Sequence, residues 1–481
     1  MLTLLSAINQ FDKVLHKARL LPIALLLALL IFVPVLPHMD RSGYDLARIG
    51  EVLLLPSLAV SLFLRQGPLH LPNRKSLWWG GVLIMLGTLS VLGAARPDIA
   101  LRDWGLALGL FAGALLLSQD LRMAGVTRWM LVVVLAGQVV YGSLILLLLL
   151  LGLFVEGVID YWHIFAGYEN PRYFNHAQTL VIALLAGMAG WRELGKLWRW
   201  LAWYALTVHI FLLMLLLGRA SCVALAVAAL AAAFIFGRQG LAWGIRLLIG
   251  LAAGVIVYLL LAQGLPALLG IESVPAFRDI GERGSVEARL LLWRIALTDI
   301  AQHPWLGIGP MHFAHYFNGE AAHPHNIYLQ LAAEYGLPFT GMLLVIVAVA
   351  FYRTVKKLRQ RFRQIEDPIG IACFAACAAA LVDGCFSGNF VMPISQLWIV
   401  LAFALLRSRL TSDNDVGALP ETAGVGRAWL RNTAILVLLS VQIATAIAAY
   451  QEFQLASPNL IRGRTNPGEH LSPRFWLDGW F

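Results

Sequence analysis

Charged residues are scarce in this chain of 481 residues, since Asp, Glu, Lys and Arg together make up only 13%. In a soluble protein, charged residues make up about a quarter of the chain. Hydrophobic residues reach 59%, which places the chain in the membrane class. The net charge of +9 therefore indicates orientation in a membrane first, and we expect no nucleic-acid partner.

Cysteine is also rare, with four residues in or beside apolar runs: Cys222, Cys373, Cys377 and Cys385. No further Cys or His lies near Cys373 and Cys377, so packing is a better interpretation than a metal site or a disulfide framework. The sequence lacks the H-E-x-x-H and G-x-S-x-G patterns and zinc-type cysteine spacing. We therefore expect no metal and no cofactor.

Apolar runs recur along the chain, and a helical span needs roughly 20 apolar residues. Twelve or thirteen runs qualify, several of them short or close together. They lie near 20–37, 44–64, 77–95, 99–117, 129–154, 175–191, 200–217, 220–236, 245–262, 326–352, 369–387, 391–406 and 431–450.

The distribution of basic residues predicts the orientation of these spans. Most of the 36 Lys and Arg residues fall in connections on the side of the N-terminus, which the positive-inside rule assigns to the cytoplasm. The sequence thus predicts an all-α polytopic integral membrane protein with about 12–13 transmembrane helices and one long structured periplasmic loop. Its predicted segments are an N-terminal bundle, that loop, the C-terminal helices and a periplasmic tail, at 1–262, 263–325, 326–450 and 451–481.

The predicted loop contains the pattern of a helix from about 285 to 302. Its apolar residues Leu290, Trp293, Leu297 and Ile300 recur at helical spacing and predict one buried face. Pro304 ends this helix, and Pro324 suits the first turn of the next span.

Polar residues gather where that next span begins, in "HPHNIYLQ" at 323–330. Its His325, Asn326 and Gln330 lie in the first turns, where free backbone N–H groups favour an anion. A histidine is the side chain best suited to take a proton from a hydroxyl at neutral pH, and His323 is an alternative to His325. Glu334, deeper in the span, is expected to be protonated or paired with an arginine from another span.

Isolated arginines mark the same predicted side. Arg219 stands alone between two apolar runs, where its side chain either binds a ligand or extends to the interface between membrane and water. Arg289 lies in the loop helix and either binds an anion or pairs with a nearby glutamate. Arg172 and His176, in "NPRYFNHAQT", either bind the same ligand or cap a helix. Arginine forks at a helix N-terminus suit a diphosphate.

These stretches, Arg289-x3-Trp293, "HPWLGIGPMHF" and "HPHNIYLQLAAEYGLPFTG", resemble the conserved region of the O-antigen ligase and O-antigen polymerase superfamily. That superfamily includes bacterial O-linked, pilin-type oligosaccharyltransferases, and "NPRYFNHAQT" is similar to a segment of that branch. The resemblance implies a glycosyltransferase that needs no metal and acts at the periplasmic face of the bacterial inner membrane. Its donor would be a glycan on undecaprenyl diphosphate.

The resemblance also implies roles for particular residues. His325 would act on the acceptor hydroxyl, while Arg219 and Arg289 would hold the diphosphate. Lipid A core is the expected acceptor, with a pilin-like protein or a growing glycan as alternatives. The tail beyond the last span departs from the ligase pattern and leaves the acceptor open. A lipid-linked glycan transporter is the rival class, although the sequence shows no internal repeat and its polar groups cluster at one face.

Overall fold

The structure, a computed structural model, describes residues 20–35, 42–63, 74–123, 125–157, 161–271, 286–410, short stretches between 436 and 447, 474–476, and 480. Within these residues all regular structure is helical, which confirms the all-α class. The longer helices are α1 (Leu21–Phe32), α2 (Gly43–Phe63), α3 (Arg74–Leu92), α4 (Pro97–Asp120), α5 (Val126–Leu151), α6 (Pro171–Met188), α7 (Lys196–Leu215), α8 (Arg219–Phe236), α9 (Arg238–Tyr258), α10 (Val286–Gln302), α11 (Ile327–Phe362), α12 (Pro368–Asp383) and α13 (Pro393–Leu410).

Eight of the described helices are long and apolar enough to cross a membrane, so this is a multi-pass membrane protein. They are α3, α4, α5, α7, α8, α9, α11 and α13. The predicted spans 20–37 and 369–387 correspond to the shorter apolar helices α1 and α12. Those at 44–64 and 175–191 correspond to α2 and α6, whose first turns are polar. The predicted span 431–450 lies largely outside the described residues.

Helix α6 lies at the centre of the bundle, packed against α7, α12 and α13. Small residues bring these helices together: a Cβ added at Gly187 of α6 would lie 2.3 Å from the Cβ of Ala372 in α12. Lipid provides no hydrophobic driving force between helices, so close van der Waals packing stabilises their association instead. All four cysteines are free, and Cys373 is buried in this packing.

Helix α11 is broken, whereas the sequence predicted one continuous span at 326–352. Gly336 has φ 82° and ψ 168°, outside the helical region, and Pro338 follows it. Proline has no N–H, so it cannot bond the carbonyl of residue 334, and glycine alone tolerates this φ at little cost. The helix also continues to Phe362, ten residues beyond the predicted end, because its last turns carry basic residues that extend past an apolar run.

The loop after α10 satisfies the backbone groups that the break releases. Ile308 N donates to Ala333 O at 2.9 Å, and Gly309 N donates to Glu334 O at 2.9 Å. Leu337 N donates in turn to Pro304 O at 2.8 Å. Irregular backbone is tolerated at membrane depth only where protein supplies such partners. The loop and the break therefore stabilise each other.

Helix α10 forms within a residue of the predicted range, but only part of its predicted apolar face is buried: Trp293 and Ile300 are half-buried. Leu292 and Ala296 are buried against Ala333 and Phe313. Leu290 and Leu297, assigned to the buried face, are exposed. The helix is apolar around much of its circumference, so periodicity did not distinguish the face that packs on protein from a face suited to lipid.

We expect Gly336→Ala to destabilise the protein. The Cβ would lie 2.4 Å from the carbonyl oxygen of Trp305, and φ is positive there, so strain of about 2 kcal/mol or more should result. Gly341→Ala is the matched control, because Gly341 lies in the regular part of α11 with nothing within 4 Å of its Cβ position. The thermal midpoint of purified protein in detergent measures the effect. Equal midpoints for the two variants would contradict it.

Candidate active site

The histidine segment before α11 is fixed at three points. Trp293 Nε1 donates to Pro324 O at 3.1 Å. Asn326 caps the helix, its side-chain oxygen accepting from Tyr328 N at 3.0 Å and from Leu329 N. Ile327 N donates to Gly384 O at 2.9 Å, beyond the end of α12. The prediction that Pro324 lies in the first turn was wrong, because the Asn326 cap starts the helix at Ile327.

The two histidines of this segment have different surroundings. His323 is 1% exposed, and its Nδ1 accepts a hydrogen bond from His325 N at 3.2 Å. Its ring packs against Gly388 so closely that a Cβ added there would lie 2.7 Å from the ring carbon Cε1. His325 is only partly buried, and its ring packs edge-on to His323, with centroids 4.2 Å apart. His325 also has φ 52°, the left-handed region that a non-glycine residue occupies at a cost of about 1 kcal/mol or more. Of the two, His325 is the one a ligand can reach.

Nearby cations keep His325 neutral. Burial first, then the positive charges of Arg289 and Arg172, lower the pKa of His325 to about 4. Burial likewise holds the pKa of His323 well below its usual value, with His325 and Arg474 contributing. The same burial lowers the pKa of the Arg289 guanidinium. Two arginines from separate elements thus act on one neutral imidazole.

Arg172 and His176 lie in the first turns of α6. Asn170 caps this helix, its side-chain oxygen accepting from Arg172 N at 2.9 Å, so the Arg172 side chain is not the cap. His176 interacts electrostatically with His325, Arg289 and Arg172. The structure therefore brings these residues of "NPRYFNHAQT" into one cluster with the loop helix and the histidine segment.

Arg219 is the first residue of α8 and is exposed. The residues around it contact Asn175 of α6: a Cβ on Gly218 would lie 3.3 Å from the Asn175 side chain, and Ser221 Oγ donates to Asn175 O at 3.3 Å. Arg219 therefore lies beside the first turns of α6, the helix that also carries Arg172 and His176.

Four helix N-termini meet at this end of the bundle, those of α6, α8, α11 and α13. Ser395 Oγ, in the first turn of α13, donates to His176 O at 3.2 Å. Thr179 Oγ1 of α6 donates to Asp383 Oδ2 at 3.4 Å, next to the residue that anchors α11. Because each helix N-terminus carries about half a positive charge, this arrangement adds to the arginines and favours an anion.

Gln330 lies with Glu334, deeper in the protein. Gln330 Nε2 is 3.5 Å from Glu334 Oε2, and Glu334 Oε2 accepts from Arg474 Nη2 at 2.5 Å. The two charged side chains are 1% and 2% exposed. Glu334 is thus paired with an arginine, as one of the two expectations had it, but the partner comes from the C-terminal tail and not from another span.

The described part of that tail, 474–476, is buried against α2. Arg48 donates to Phe475 O at 2.8 Å, Val391 O at 2.7 Å and Glu51 Oε2 at 2.5 Å. The guanidinium of Arg102 lies 4.0 Å from the centre of the Phe475 ring. Sequence reasoning missed this role, although charges inside the predicted span 44–64 were a usable signal.

Two further buried polar residues near the site were also missed. Asp383 Oδ1 and Asn175 Oδ1 are buried and have no hydrogen-bond partner among the described residues. Asp383 is the one acid in the predicted span 369–387, which could have pointed to it. No group of three His, Cys, Asp or Glu residues in the described ranges is arranged to hold a metal ion.

We expect Glu334→Gln to destabilise the protein by about 3–5 kcal/mol, because it leaves the buried Arg474 cation unpaired. The double variant Glu334→Leu/Arg474→Met should regain part of this loss. Asp98→Asn is the control: its partner Arg96 and Asp98 itself are 52% and 58% exposed, so the change should cost about 1 kcal/mol or less. Chemical unfolding in detergent measures all three. A Glu334→Gln variant no less stable than Asp98→Asn would refute a paired, buried carboxylate.

A comparison with protein families finds one match, over residues 204–346, to the family described as O-antigen ligase. The matched part runs from α7 to the second half of α11. It includes Arg219, Arg289 and the histidine segment, whereas Arg172 and Arg474 lie outside it. No curated protein matches the chain significantly.

Proposed function

We propose that this chain, whose residues 204–346 belong to the O-antigen ligase family, moves a glycan from undecaprenyl diphosphate to a hydroxyl of lipid A core. The family implies membrane glycan transfer from a lipid-linked substrate in general. One observation carries the finer proposal: His325 is partly exposed where four helices begin, and burial together with Arg289 and Arg172 lowers its pKa and so favours the neutral form. The orientation predicted from basic residues places this end in the periplasm of a bacterial inner membrane.

The cluster suits a diphosphate. Arg172 of α6 and Arg289 of α10 both act on His325, and Arg219 is exposed at the start of α8, which contacts α6 at Asn175. Guanidinium groups bind phosphate oxygens through paired N–H donors, and helix N-termini add fixed positive potential. These groups would bind the donor diphosphate and stabilise the charge that develops on it as the glycosyl bond breaks.

The transfer requires a base for the acceptor. Neutral His325 would take the proton of the acceptor hydroxyl as its oxygen forms a bond to the anomeric carbon of the donor sugar. The bond from that carbon to the diphosphate oxygen breaks, and undecaprenyl diphosphate leaves with the electron pair. Because a bound diphosphate offsets the charges of Arg172 and Arg289, donor binding should raise the basicity of His325 at the moment of reaction.

A pilin-like protein is the second candidate acceptor. The segment "NPRYFNHAQT", which is similar to one in the pilin-modifying branch, lies in the site and supplies Arg172 and His176. A growing lipid-linked glycan, as in O-antigen polymerases, is a third acceptor for the same donor chemistry. A transporter would bind the donor without transferring its glycan.

The direct test offers a synthetic undecaprenyl-diphosphate glycan to the purified protein, with lipid A core, a pilin or a second lipid-linked glycan in separate reactions. His325→Asn keeps the left-handed backbone, which asparagine tolerates, and removes the imidazole. We expect transfer to lipid A core and a loss of about 100- to 10,000-fold in this variant. His303→Asn, an exposed histidine of the same loop, should retain activity.

Each other outcome decides a separate point. Transfer to the pilin or to the second glycan would identify that molecule as the acceptor in place of lipid A core. Full activity in His325→Asn would assign the base to another group. Donor binding by folded protein without transfer to any acceptor would favour the transporter.

The pH profile of kcat/KM tests the effect of the arginines on His325. His325 acts as a base only when neutral, so wild-type activity should persist below pH 6.5 and be lost only as the pH falls toward about 4. Arg289→Gln removes a cation that lowers this pKa, so its acidic limb should move to higher pH. Arg294→Gln removes an exposed charge from the same helix and should leave the limb in place. An acidic limb that does not move in Arg289→Gln would contradict the assignment of that limb to His325.

A further inference from the structure

A cavity of about 440 Å³ opens at the end of the bundle opposite the histidine cluster. Residues from the ends of α4, α5, α11 and α13 and from the Arg192–Leu194 turn form it. We call it the arginine pocket, and it is lined by Leu121, Arg122, Gly125, Thr127, Arg128, Trp191, Glu193, Arg361, Ser408 and Arg409. Helix α13 runs from one end of the bundle to the other, and its 18 residues at 1.5 Å per residue separate the two ends by roughly 27 Å. The pocket is therefore distinct from the candidate active site.

The charge of the pocket is unbalanced. Four arginines line it, but only Glu193 among the lining residues is acidic. Asp367 lies behind Arg361 and Arg409, with contacts of 2.9 Å and 3.8 Å, and also accepts from Gly370 N at the start of α12. The two carboxylates, Glu193 and Asp367, against four arginines give the pocket a formal excess of positive charge, which favours an anionic ligand.

The position of Arg409 indicates that donors remain available. Its guanidinium lies 5.8 Å from the ring centre of Trp191, which restricts its movement. Its Nε is buried and has no hydrogen-bond partner among the described residues. A buried N–H without a partner is costly, so Arg409 adds an unsatisfied donor to the positive charge that already favours a phosphate.

The surroundings of the pocket identify the source of the phosphate as a lipid. Trp129, which follows Arg128, is 53% exposed, and Leu197 and Trp200, in the first turns of α7 after the Arg192–Leu194 turn, are 67% and 65% exposed. Exposed tryptophans at the ends of membrane helices mark the headgroup level. Basic pockets between helices at this depth bind anionic headgroups. We propose that the arginine pocket binds the phosphodiester of an anionic phospholipid.

Native mass spectrometry of the detergent-purified full chain, titrated with phosphatidylglycerol or phosphatidylcholine, tests this proposal. We expect selective retention of phosphatidylglycerol and a loss of affinity of at least about tenfold in Arg122→Gln/Arg128→Gln. Arg353→Gln/Lys356→Gln removes the same charge from exposed positions of α11 outside the pocket and should bind like wild type. Circular dichroism and size exclusion would verify that both double variants are folded.

Three results would overturn the proposal. Equal losses in the two double variants would mean non-specific attraction to surface charge. Equal binding of the two lipids would mean that the anionic headgroup is not recognised. Binding of inorganic phosphate or glycerol 3-phosphate that competes with the lipid and depends on Arg122 and Arg128 would assign the pocket to a soluble phosphate.

Discussion

The break in α11 is the constraint on which the candidate site depends. A helix interrupted at membrane depth exposes backbone groups that lipid cannot satisfy, so protein must satisfy them. Here the segment after α10 does so, with bonds from Ile308 and Gly309 to carbonyls of α11. Trp293 fixes the other end of the same connection by its bond to Pro324. The histidine segment is thus held between two fixed points, and His325 can keep a conformation that histidine seldom adopts.

A second constraint comes from buried charge. Arg474 enters the protein beside Glu334, and Arg48 binds the backbone that carries it. Taking these ions out of water costs several kcal/mol per ion, and close pairing offsets the cost only when the remaining donors and acceptors are also bonded. The pair does fix the position of Arg474, because the ion pair attaches this residue to Glu334 in the first half of α11. Residues 474–476 of a tail that looked from its sequence like a peripheral addition are thus buried against α2 and α11.

The two ends of the bundle use positive charge differently. At one end Arg172 and Arg289 act on a histidine at the junction of four helix N-termini, an arrangement suited to a reacting diphosphate. At the other end Arg361 and Arg409 share Asp367 and stand at the C-termini of their helices, where cations are favoured by the helix dipole. Cations at that end stabilise the bundle and also line a pocket. The same residue type therefore lines the candidate active site at one end and the proposed lipid pocket at the other.

The sequence by itself determined the helical membrane class and located most spans, because runs of about 20 apolar residues have few alternatives. It also drew attention to His325, Arg219 and Arg289, since polar groups are expensive beside apolar runs. It did not reveal the break at Gly336, because "GLP" lies within residues apolar enough for an unbroken helix. Nor did it separate the buried face of α10 from the exposed one. Only the tertiary structure decided these points, and the partnership of Glu334 with Arg474, because they depend on which distant segments supply hydrogen bonds and charge. Periodicity along one helix carries no information about its neighbours.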